Sequence, residues 1–271
     1  MIRINENDVN VNKFPDGTIL LKEQIPGECE KEKPQRKVKL TWLFESNEEL
    51  VTLIYLAGHL RAHGITDLSL DMPYIPNARQ DRVKGEEDVF TLKYFAEVIN
   101  WLHFESVTVL DPHSSVSEAL IDRIQVKTPE TFIRQVMERI GGTENLTMFY
   151  PDEGACKRYS GMFCIPYAFG IKSRDWKTGD IQGLEVSGMT DCIRGRKILI
   201  IDDISSRGGT FYFSARKLKE LGAGEIYLYI SHCENSILEG DVLTSGLIRR
   251  VFTTNSIFTG KDERIEVFAY E

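Results

Sequence analysis

The stretch that decides the fold is KILIIDDISSRGGTFYFSARKLKELGAGEIYLYI, residues 197–230. It opens with an apolar run, Lys197–Ile201, passes through two aspartates and a glycine-rich turn, and then shows helical spacing of apolar residues over 211–221. Gly222 ends that helix, and a second near-continuous apolar run, Ile226–Ile230, follows it. Two apolar strands joined through a helix are typical of a parallel sheet that is covered by helices. The stretch therefore predicts an α/β fold.

The same alternation of strands and helices extends over much of the chain. The clearest helix starts at the capping box Ser46-Asn-Glu-Glu49 and ends at Gly64. Two extended segments before it, 18–22 and 38–44, are joined by a charged stretch and predict a hairpin. The two halves of the chain each present a strand, a polar loop and a helix, which predicts two domains that meet near Thr128. Further strands and helices are expected, in chain order, at 68–70, 92–102, 107–110, 130–140 and 146–150.

Composition restricts the class of protein. The chain has 271 residues, of which 42% are hydrophobic, and a formal net charge of -8, which suits a globular protein and argues against one that mainly grips nucleic acid. Its five cysteines show no CxxC spacing, so we expect neither a disulfide framework nor a zinc site. The polar amino-terminal residues and the lack of an apolar run of membrane-spanning length favour a cytoplasmic protein with no membrane partner. No GxxxxGK[ST] or GxGxxG pattern supports a P-loop or a Rossmann dinucleotide site.

The turn at 202–210 carries the chemistry expected of a sugar-phosphate site. In an open parallel sheet, ligands bind beyond the carboxyl ends of the strands, where this turn should lie. Its glycines let the backbone approach a ligand, and the N–H groups that begin the next helix favour an anion. Its two aspartates could accept hydrogen bonds from vicinal sugar hydroxyls or help to hold a divalent cation. The alternative is that the aspartates only cap the helix and the glycines only make a tight turn. The residues predicted to form the site are Asp202, Asp203, Ser205, Ser206, Arg207, Gly208, Gly209 and Thr210.

The order of a strand, Asp-Asp, four residues, Gly-Gly-Thr and a helix resembles the 5-phosphoribosyl 1-diphosphate loop of phosphoribosyltransferase-like folds. Its double-glycine form is most similar to the loop of the ribose-phosphate pyrophosphokinases. Other segments resemble motifs of that family, and the resemblance extends from about Phe14 to Ser256. Six motifs in the family's order are far more specific than any one of them. The five further segments are Phe14-Pro-Asp16-Gly17, PYIPNARQDR at 73–82, Asp111-Pro-His113, Pro151-Asp152-Glu-Gly154 with Arg158, and Lys172-Ser-Arg174.

The resemblance implies roles for the residues of these motifs. It implies that Lys172 and Arg174 are catalytic residues on a flexible loop that closes over the phosphates, and the polar stretch at 171–183 is expected to be such a mobile loop. It implies that Asp152 and His113 hold Mg²⁺; oxygen ligands suit magnesium, whereas the histidine ligand rests on the resemblance alone. Arginine forks match phosphate oxygens, which suits a nucleotide site. The residues implied to bind ATP are Phe14, Asp16, Arg79, Gln80, Asp81, Arg82 and His113.

The resemblance also implies a fold and a reaction. The fold would be two tandem phosphoribosyltransferase-like domains, 1–128 on the nucleotide side and 129–271 on the ribose 5-phosphate side, each a mainly parallel sheet flanked by helices. The reaction would transfer the diphosphoryl group of ATP to the C1 hydroxyl of D-ribose 5-phosphate. The family's hairpin, matched here at Phe14, reaches the adenine of a neighbouring subunit, so a homo-oligomer built on a dimer is expected.

Three residues depart from the family pattern. Thr18 stands where the family usually has glutamate, and Ser206 and Arg207 replace the usual Asp-Thr before the paired glycines. Two alternatives to the synthetase stay open, the first from the Asp-Asp loop and the second from these departures. One is a phosphoribosyltransferase that consumes phosphoribosyl diphosphate, and the other is a non-catalytic regulatory homologue that binds nucleotide.

Overall fold

The computed structural model of the chain describes residues 1–23, 37–174 and 181–270, and the side chains of 172–174 and 181–184 lie outside that description. The chain divides into two compact units, Met1–Thr128 and Pro129–Glu271. Within the described ranges, none of the helices combines the length and the apolar character needed to cross a membrane.

The first unit is built on a six-stranded sheet. Its strand order is β2-β1-β5-β6-β7-β8, in which β1 runs antiparallel to β2 and β5 and the other pairs are parallel. The apolar core joins Leu40 and Trp42 of β5 to Leu53 and Leu60 of α1, all of them fully buried. The elements are β1 Ile2–Ile4, β2 Asn7–Asp8, β3 Val11–Lys13, β4 Ile19–Leu21, β5 Lys37–Trp42, α1 Glu48–Ala62, β6 Asp67–Asp71, α2 Thr91–Trp101, β7 Val107–Leu110, α3 Ser115–Leu120 and β8 Ile124–Lys127.

The prediction that 18–22 and 38–44 pair as a hairpin is wrong. β4 pairs with β3 in a separate two-stranded sheet, whereas β5 lies between β1 and β6. The true hairpin turns at Gly17, whose φ is +85°. The Asp16 carboxylate closes this turn by accepting hydrogen bonds from the N–H (2.9 Å) and the hydroxyl (2.7 Å) of Thr18. A tight turn of this kind specifies its own pairing, but a long charged connection leaves its two ends free to join different sheets.

Helix α1 starts and ends within two residues of the predicted bounds. The carboxylate of Glu49 accepts hydrogen bonds from the backbone N–H groups of Glu45 (2.8 Å) and Ser46 (3.3 Å), which is the glutamate half of a capping box, whereas the N-cap is Asn47, whose side chain makes no capping hydrogen bond. It also accepts the indole N–H of Trp42 at 2.9 Å. At the other end Gly64 has a φ of +85°, the left-handed conformation that glycine adopts most easily.

We expect Gly58→Ala to raise the free energy of unfolding of the first unit by about 0.5–1 kcal/mol. Gly58 lies in the interior of α1, is exposed, and has no atom within 4 Å of the position that a β-carbon would take. Urea unfolding checks this. The control is Gly64→Ala, which also enters open space but forces alanine into a positive φ, and should destabilise. A loss of stability in Gly58→Ala would contradict the prediction.

The second unit is built on a seven-stranded sheet. Its strand order is β11-β10-β9-β12-β13-β14-β15, and every pair is parallel except β10 with β11. The elements are α4 Glu130–Arg139, β9 Leu146–Tyr150, α5 Glu153–Tyr159, β10 Tyr167–Arg174, β11 Ile181–Gly188, β12 Lys197–Ser205, α6 Gly209–Glu220, β13 Ile226–Cys233, α7 Asp241–Thr244, β14 Arg250–Thr254 and β15 Ile265–Phe268.

Both faces of the second sheet are covered, as the near-continuous apolar strands predict. Ile198 and Ile200 of β12 pack in a cluster with Phe211 of α6. Leu199 of the same strand faces the opposite way, in a cluster that contains residues of α4 and α5. The predicted α/β class is confirmed: each unit is a mainly parallel sheet with helices packed on it.

The loop expected at 171–183 is wrong for residues 171–174 and 181–183, which belong to strands, and its expected mobility stays a prediction. Lys172–Arg174 continues β10, and β11 begins at Ile181, so the two strands form an antiparallel hairpin at the edge of the sheet. An edge strand such as β11 often carries charged and polar side chains, so its sequence lacks the apolar pattern that marks a buried strand. Residues 175–180 and the side chains of Lys172 and Arg174 lie outside the described part of the chain.

Candidate active site

The predicted sugar-phosphate turn is shorter than the sequence indicates. β12 continues to Ser205 because β13 supplies ladder partners as far as Cys233, which lies opposite Ser205. Asp202 and Asp203 are therefore strand residues, and α6 begins at Gly209. The connection is reduced to residues 206–208, so the carboxylates and the start of α6 lie close together at the carboxyl end of β12.

Arg158 of α5 joins the two aspartates. Its Nη2 lies 2.5 Å from Oδ1 of Asp203 and 3.3 Å from Oδ1 of Asp202. The side chain of Asp203 is only 3% exposed, so this guanidinium neutralises a buried charge. Burial, followed by the charge of Asp203, raises the pKa of Asp202 well above its usual range, and Arg158 opposes that shift.

Asp152 stands at the start of α5, next to this group. Its carboxylate caps the helix by accepting the N–H of Ala155 at 3.0 Å. Its negative charge also contributes to the raised pKa of Asp202. Asp152, Asp202 and Asp203 thus bring negative charge to the ends of two neighbouring strands, β9 and β12. Carboxylate oxygens are the ligands that a hard divalent cation such as Mg²⁺ prefers, but the positions of these three carboxylates do not by themselves form a metal site. In the described ranges, no group of three or more acidic, histidine or cysteine side chains is arranged to hold a metal ion.

The remaining predicted sugar-phosphate residues surround the start of α6. Gly208 has a φ of +77° and precedes a helix of 12 residues, whose first N–H groups are the anion-binding feature. The hydroxyl of Ser205 donates to the carbonyl of Ser206 at 3.1 Å. Arg207 extends towards Glu239, with its Nη2 3.3 Å from the carboxylate, and both side chains are well exposed. Ser206 and Thr210 are half-buried, and Gly209 is exposed.

The Ala-Arg-Gln-Asp-Arg segment follows β6 in the first unit. Arg79, Gln80 and Arg82 are exposed, but Asp81 is buried. The carboxylate of Asp81 accepts two hydrogen bonds from the Arg82 guanidinium, at 2.7 Å from Nε and 3.1 Å from Nη2, which lower the pKa of Asp81. Gln80 is held through its amide oxygen by the hydroxyl of Thr91 at the start of α2. Asp81 is predicted to bind ATP, but its side chain is buried and its carboxylate pairs with Arg82.

His113 follows the neighbouring strand, β7, and is half-buried. Its charge contributes to the lowered pKa of Asp81, so it lies near the Ala-Arg-Gln-Asp-Arg segment. Asp111 has a φ of +42° and is buried, which marks a sharp turn directly after β7. His113 belongs to the first unit and Asp152, its predicted partner at the metal, to the second.

The hairpin that carries Phe14 and Asp16 presents the aromatic ring to solvent. Phe14 is 49% exposed, whereas the Asp16 carboxylate is occupied by Thr18, whose hydroxyl and N–H lower its pKa. Thr18, which stands where the family usually has glutamate, thus contacts Asp16, one of the residues predicted to bind ATP.

Comparisons with known proteins agree with the motifs. No family model matches the chain. It is 25% identical to the ribose-phosphate pyrophosphokinase of Thermococcus kodakarensis over 248 residues, which is 90% of this chain and 81% of that protein. It is 27% identical to the Pyrococcus abyssi enzyme of the same name over 249 residues, 90% of this chain and 80% of that protein. The resemblance to the ribose-phosphate pyrophosphokinases is confirmed.

A solved structure supports the fold. The phosphoribosylpyrophosphate synthetase from Mycobacterium smegmatis superposes with a TM-score of 0.77 at 18% identity, covering 97% of this chain and 86% of that one. The chain therefore has the fold of that synthetase, two phosphoribosyltransferase-like domains in tandem.

Proposed function

We propose that the chain transfers the diphosphoryl group of ATP to the C1 hydroxyl of D-ribose 5-phosphate, giving 5-phosphoribosyl 1-diphosphate and AMP. The observation that carries the proposal is the arrangement at the carboxyl end of β12. A carboxylate pair, of which Asp203 is buried and Asp202 half-buried, lies there beside the glycine turn that begins α6, on a chain similar to ribose-phosphate pyrophosphokinases over 90% of its length.

The second unit binds the sugar phosphate in this proposal. The N-terminal N–H groups of α6 hold the 5-phosphate, with the hydroxyls of Ser206 and Thr210 as further donors. Asp202 and Asp203 accept hydrogen bonds from the ribose hydroxyls. Arg158 orients the two carboxylates, because it bonds to both, and its charge favours their ionised forms.

The first unit binds ATP. Arg79 and Arg82 contact phosphate oxygens, Gln80 contacts the base, and His113 contacts the nucleotide. Phe14 stacks on the adenine of a neighbouring subunit, which makes the protein a homo-oligomer built on a dimer.

Magnesium is the cofactor in this proposal. Asp152 offers the oxygen ligand, and the family resemblance adds His113. When bound, Mg²⁺ neutralises charge on the triphosphate oxygens.

The reaction is an in-line displacement at the β-phosphorus. The C1 oxygen forms a bond to that phosphorus as the bond to the oxygen shared with the α-phosphate breaks, and AMP leaves with that oxygen while the hydroxyl proton passes to solvent. Lys172 and Arg174 stabilise negative charge on the oxygens of the group in transfer. The sugar's binding energy serves to place its C1 oxygen in line.

The test is AMP formation from ATP and Mg²⁺, with and without ribose 5-phosphate. We expect AMP and phosphoribosyl diphosphate in equal amounts, strict dependence on the sugar, and loss of turnover when Mg²⁺ is chelated. Lys172→Ala should lower kcat about 100-fold, and Lys217→Ala, an exposed lysine of α6, serves as the matched control. Binding of ATP or sugar phosphate without AMP would instead favour the regulatory homologue. Release of diphosphate from phosphoribosyl diphosphate in the presence of a nucleobase would favour the phosphoribosyltransferase.

A further inference from the structure

The phosphate turn of the second unit, residues 205–210, rests on a segment that lies outside the six motifs of the sequence analysis. This supporting segment, residues 234–242, follows β13 and consists of a short 3-10 helix, Gly240 and the start of α7. It meets the turn first at Ser205, whose carbonyl accepts the N–H of Glu234 at 2.8 Å.

The closest approach is between Gly240 and Arg207. A β-carbon on Gly240 would lie 1.9 Å from the carbonyl oxygen of Arg207 and 2.9 Å from its carbonyl carbon. One residue further along the turn, a β-carbon on Gly208 would lie 2.6 Å from Cγ1 of Val242. The two segments therefore touch through their backbones at Gly240. At Gly208 the side chain of Val242 packs against the backbone of the turn.

The supporting segment is itself fixed to the body of the unit. Ile237 and Val242 are buried in the same apolar cluster as Ile198 and Phe211. The side chain of Asn235 donates to the hydroxyl of Thr259 at 2.8 Å and accepts the N–H groups of Thr259 and Gly260, each at 3.0 Å. A segment anchored by buried side chains and by three hydrogen bonds can hold the backbone of a neighbouring turn in one conformation.

We propose that residues 234–242 position the phosphate turn, and that Gly240 is the residue whose missing side chain sets the path of the backbone at Arg207 and Gly208. The inference rests on the proposed function, because it assigns the sugar-phosphate affinity of that site to a contact outside the motif. Gly240 is a positioning residue, since it reaches the ligand only through the turn. The Arg207–Glu239 ion pair joins the same two segments, but both side chains are exposed, so it contributes little to holding the turn in place.

Gly240→Ala tests the proposal cleanly. Gly240 has φ -93° and ψ 150°, an extended conformation that alanine adopts without strain, so the main new effect is the clash with the carbonyl group of Arg207, beside a milder contact at 3.3 Å with the carbonyl oxygen of Ile237. We expect the KM for ribose 5-phosphate to rise about tenfold to a hundredfold, because displacements near 1 Å at a binding site have effects of that size. The KM for ATP should stay within about twofold. Amide hydrogen exchange at 205–210 should become faster in the free protein, a change that is measured without any ligand.

Gly161→Ala is the matched control. Gly161 lies in the same unit, is exposed, has no atom within 4 Å of its β-carbon position and no positive φ. Val242→Ala is the second variant, should Gly240→Ala fail to fold; it removes the side chain against Gly208 and should also raise exchange at 205–210 and weaken sugar-phosphate binding.

The outcomes separate this inference from the proposed function. If the parent chain binds ribose 5-phosphate and makes AMP, but Gly240→Ala behaves like Gly161→Ala in both KM and exchange, the positioning role is overturned alone. If the parent chain neither binds the sugar phosphate nor makes AMP, the proposed function fails and this inference fails with it. Slower turnover with both KM values unchanged would also overturn the positioning role.

Discussion

Arg158→Met is expected to lower the free energy of unfolding by about 3 kcal/mol at pH 7 and to abolish binding of ribose 5-phosphate. Asp203 loses the guanidinium that lies 2.5 Å away, and Asp202 loses the same group at 3.3 Å. Removing one partner of a buried ion pair typically costs about 3–5 kcal/mol, because the remaining charge stays in a poorly solvated site. The lower end applies here, since the arginine side chain is 25% exposed.

The measurement is urea unfolding of the variant beside two comparison proteins. Arg134→Met is the matched control: Arg134 forms an exposed pair with Glu130 on α4, so its loss should change stability by less than about 1 kcal/mol. The double variant Arg158→Met/Asp203→Asn should regain part of the lost stability, because the unpaired charge is gone, but should not bind the sugar phosphate. Equal stability of Arg158→Met and Arg134→Met would contradict the account.

The stability deficit of Arg158→Met should also depend on pH. The pKa of Asp202 is raised in the folded state, and Arg158 is the group that opposes the rise. In the variant that pKa therefore moves higher, so the folded protein holds the proton more tightly than the unfolded chain does. Stability from this group is present below the unfolded value of about 4 and is lost as pH rises through the folded value. The gap between variant and parent should narrow as the pH falls from 7 towards 4.

Strong local patterns predicted the elements of the fold well. Strands β7 and β9 have the predicted bounds, and α2 differs from its prediction by one residue at each end, because each combines unbroken apolar runs or a clear helical period with a turn residue. Pairing was harder. The hairpin prediction for the segment before β5 failed since the partners of β5, β1 and β6, are set by burial of Leu40 and Trp42 in the sheet and not by the nearest extended segment.

The candidate site shows the same contrast between residues that a local motif marks and contacts that depend on which strands pair. The motifs pointed to Asp152, Asp202 and Asp203; in the structure Asp202 and Asp203 share Arg158, and the charge of Asp152 contributes to the raised pKa of Asp202. The motif that contains Arg158 does not indicate a role for it, because its contact with the aspartates depends on β9 lying next to β12, which no local pattern shows. The one available signal was chemical: two adjacent carboxylates at the end of an apolar strand require a compensating cation. The supporting segment at 234–242 gave no signal at all, since a glycine that touches another backbone has no sequence pattern.

Asp81→Asn is expected to raise the KM for ATP about tenfold while the KM for ribose 5-phosphate changes less than about twofold. Asp81 is 4% exposed, and its carboxylate accepts two hydrogen bonds from Arg82, whose own side chain is 64% exposed; the Ser114 hydroxyl and the charge of His113 act on the same carboxylate and, after Arg82, also lower its pKa. Two hydrogen bonds to one carboxylate fix the plane of the Arg82 guanidinium. The guanidinium then loses less rotamer freedom when it binds phosphate. Asparagine keeps the size of the side chain but loses the charge and one acceptor. The control is Asp88→Asn, an exposed aspartate of the same connection that bonds only to the N–H groups of Lys84 and Gly85 in the described part of the chain.

A double-mutant cycle decides whether Asp81 acts through Arg82 or on the nucleotide itself. If it acts through the guanidinium, Arg82→Ala removes what Asp81 holds, and adding Asp81→Asn should weaken Mg-ATP binding no further. If Asp81 contacts the nucleotide, the two effects should add in free energy. Arg82→Lys gives a second test, because lysine keeps the charge without the fork and should weaken binding about as much as Asp81→Asn does. Calorimetry of Mg-ATP binding reads the cycle without turnover, so its result holds even for a chain that binds nucleotide and makes no AMP.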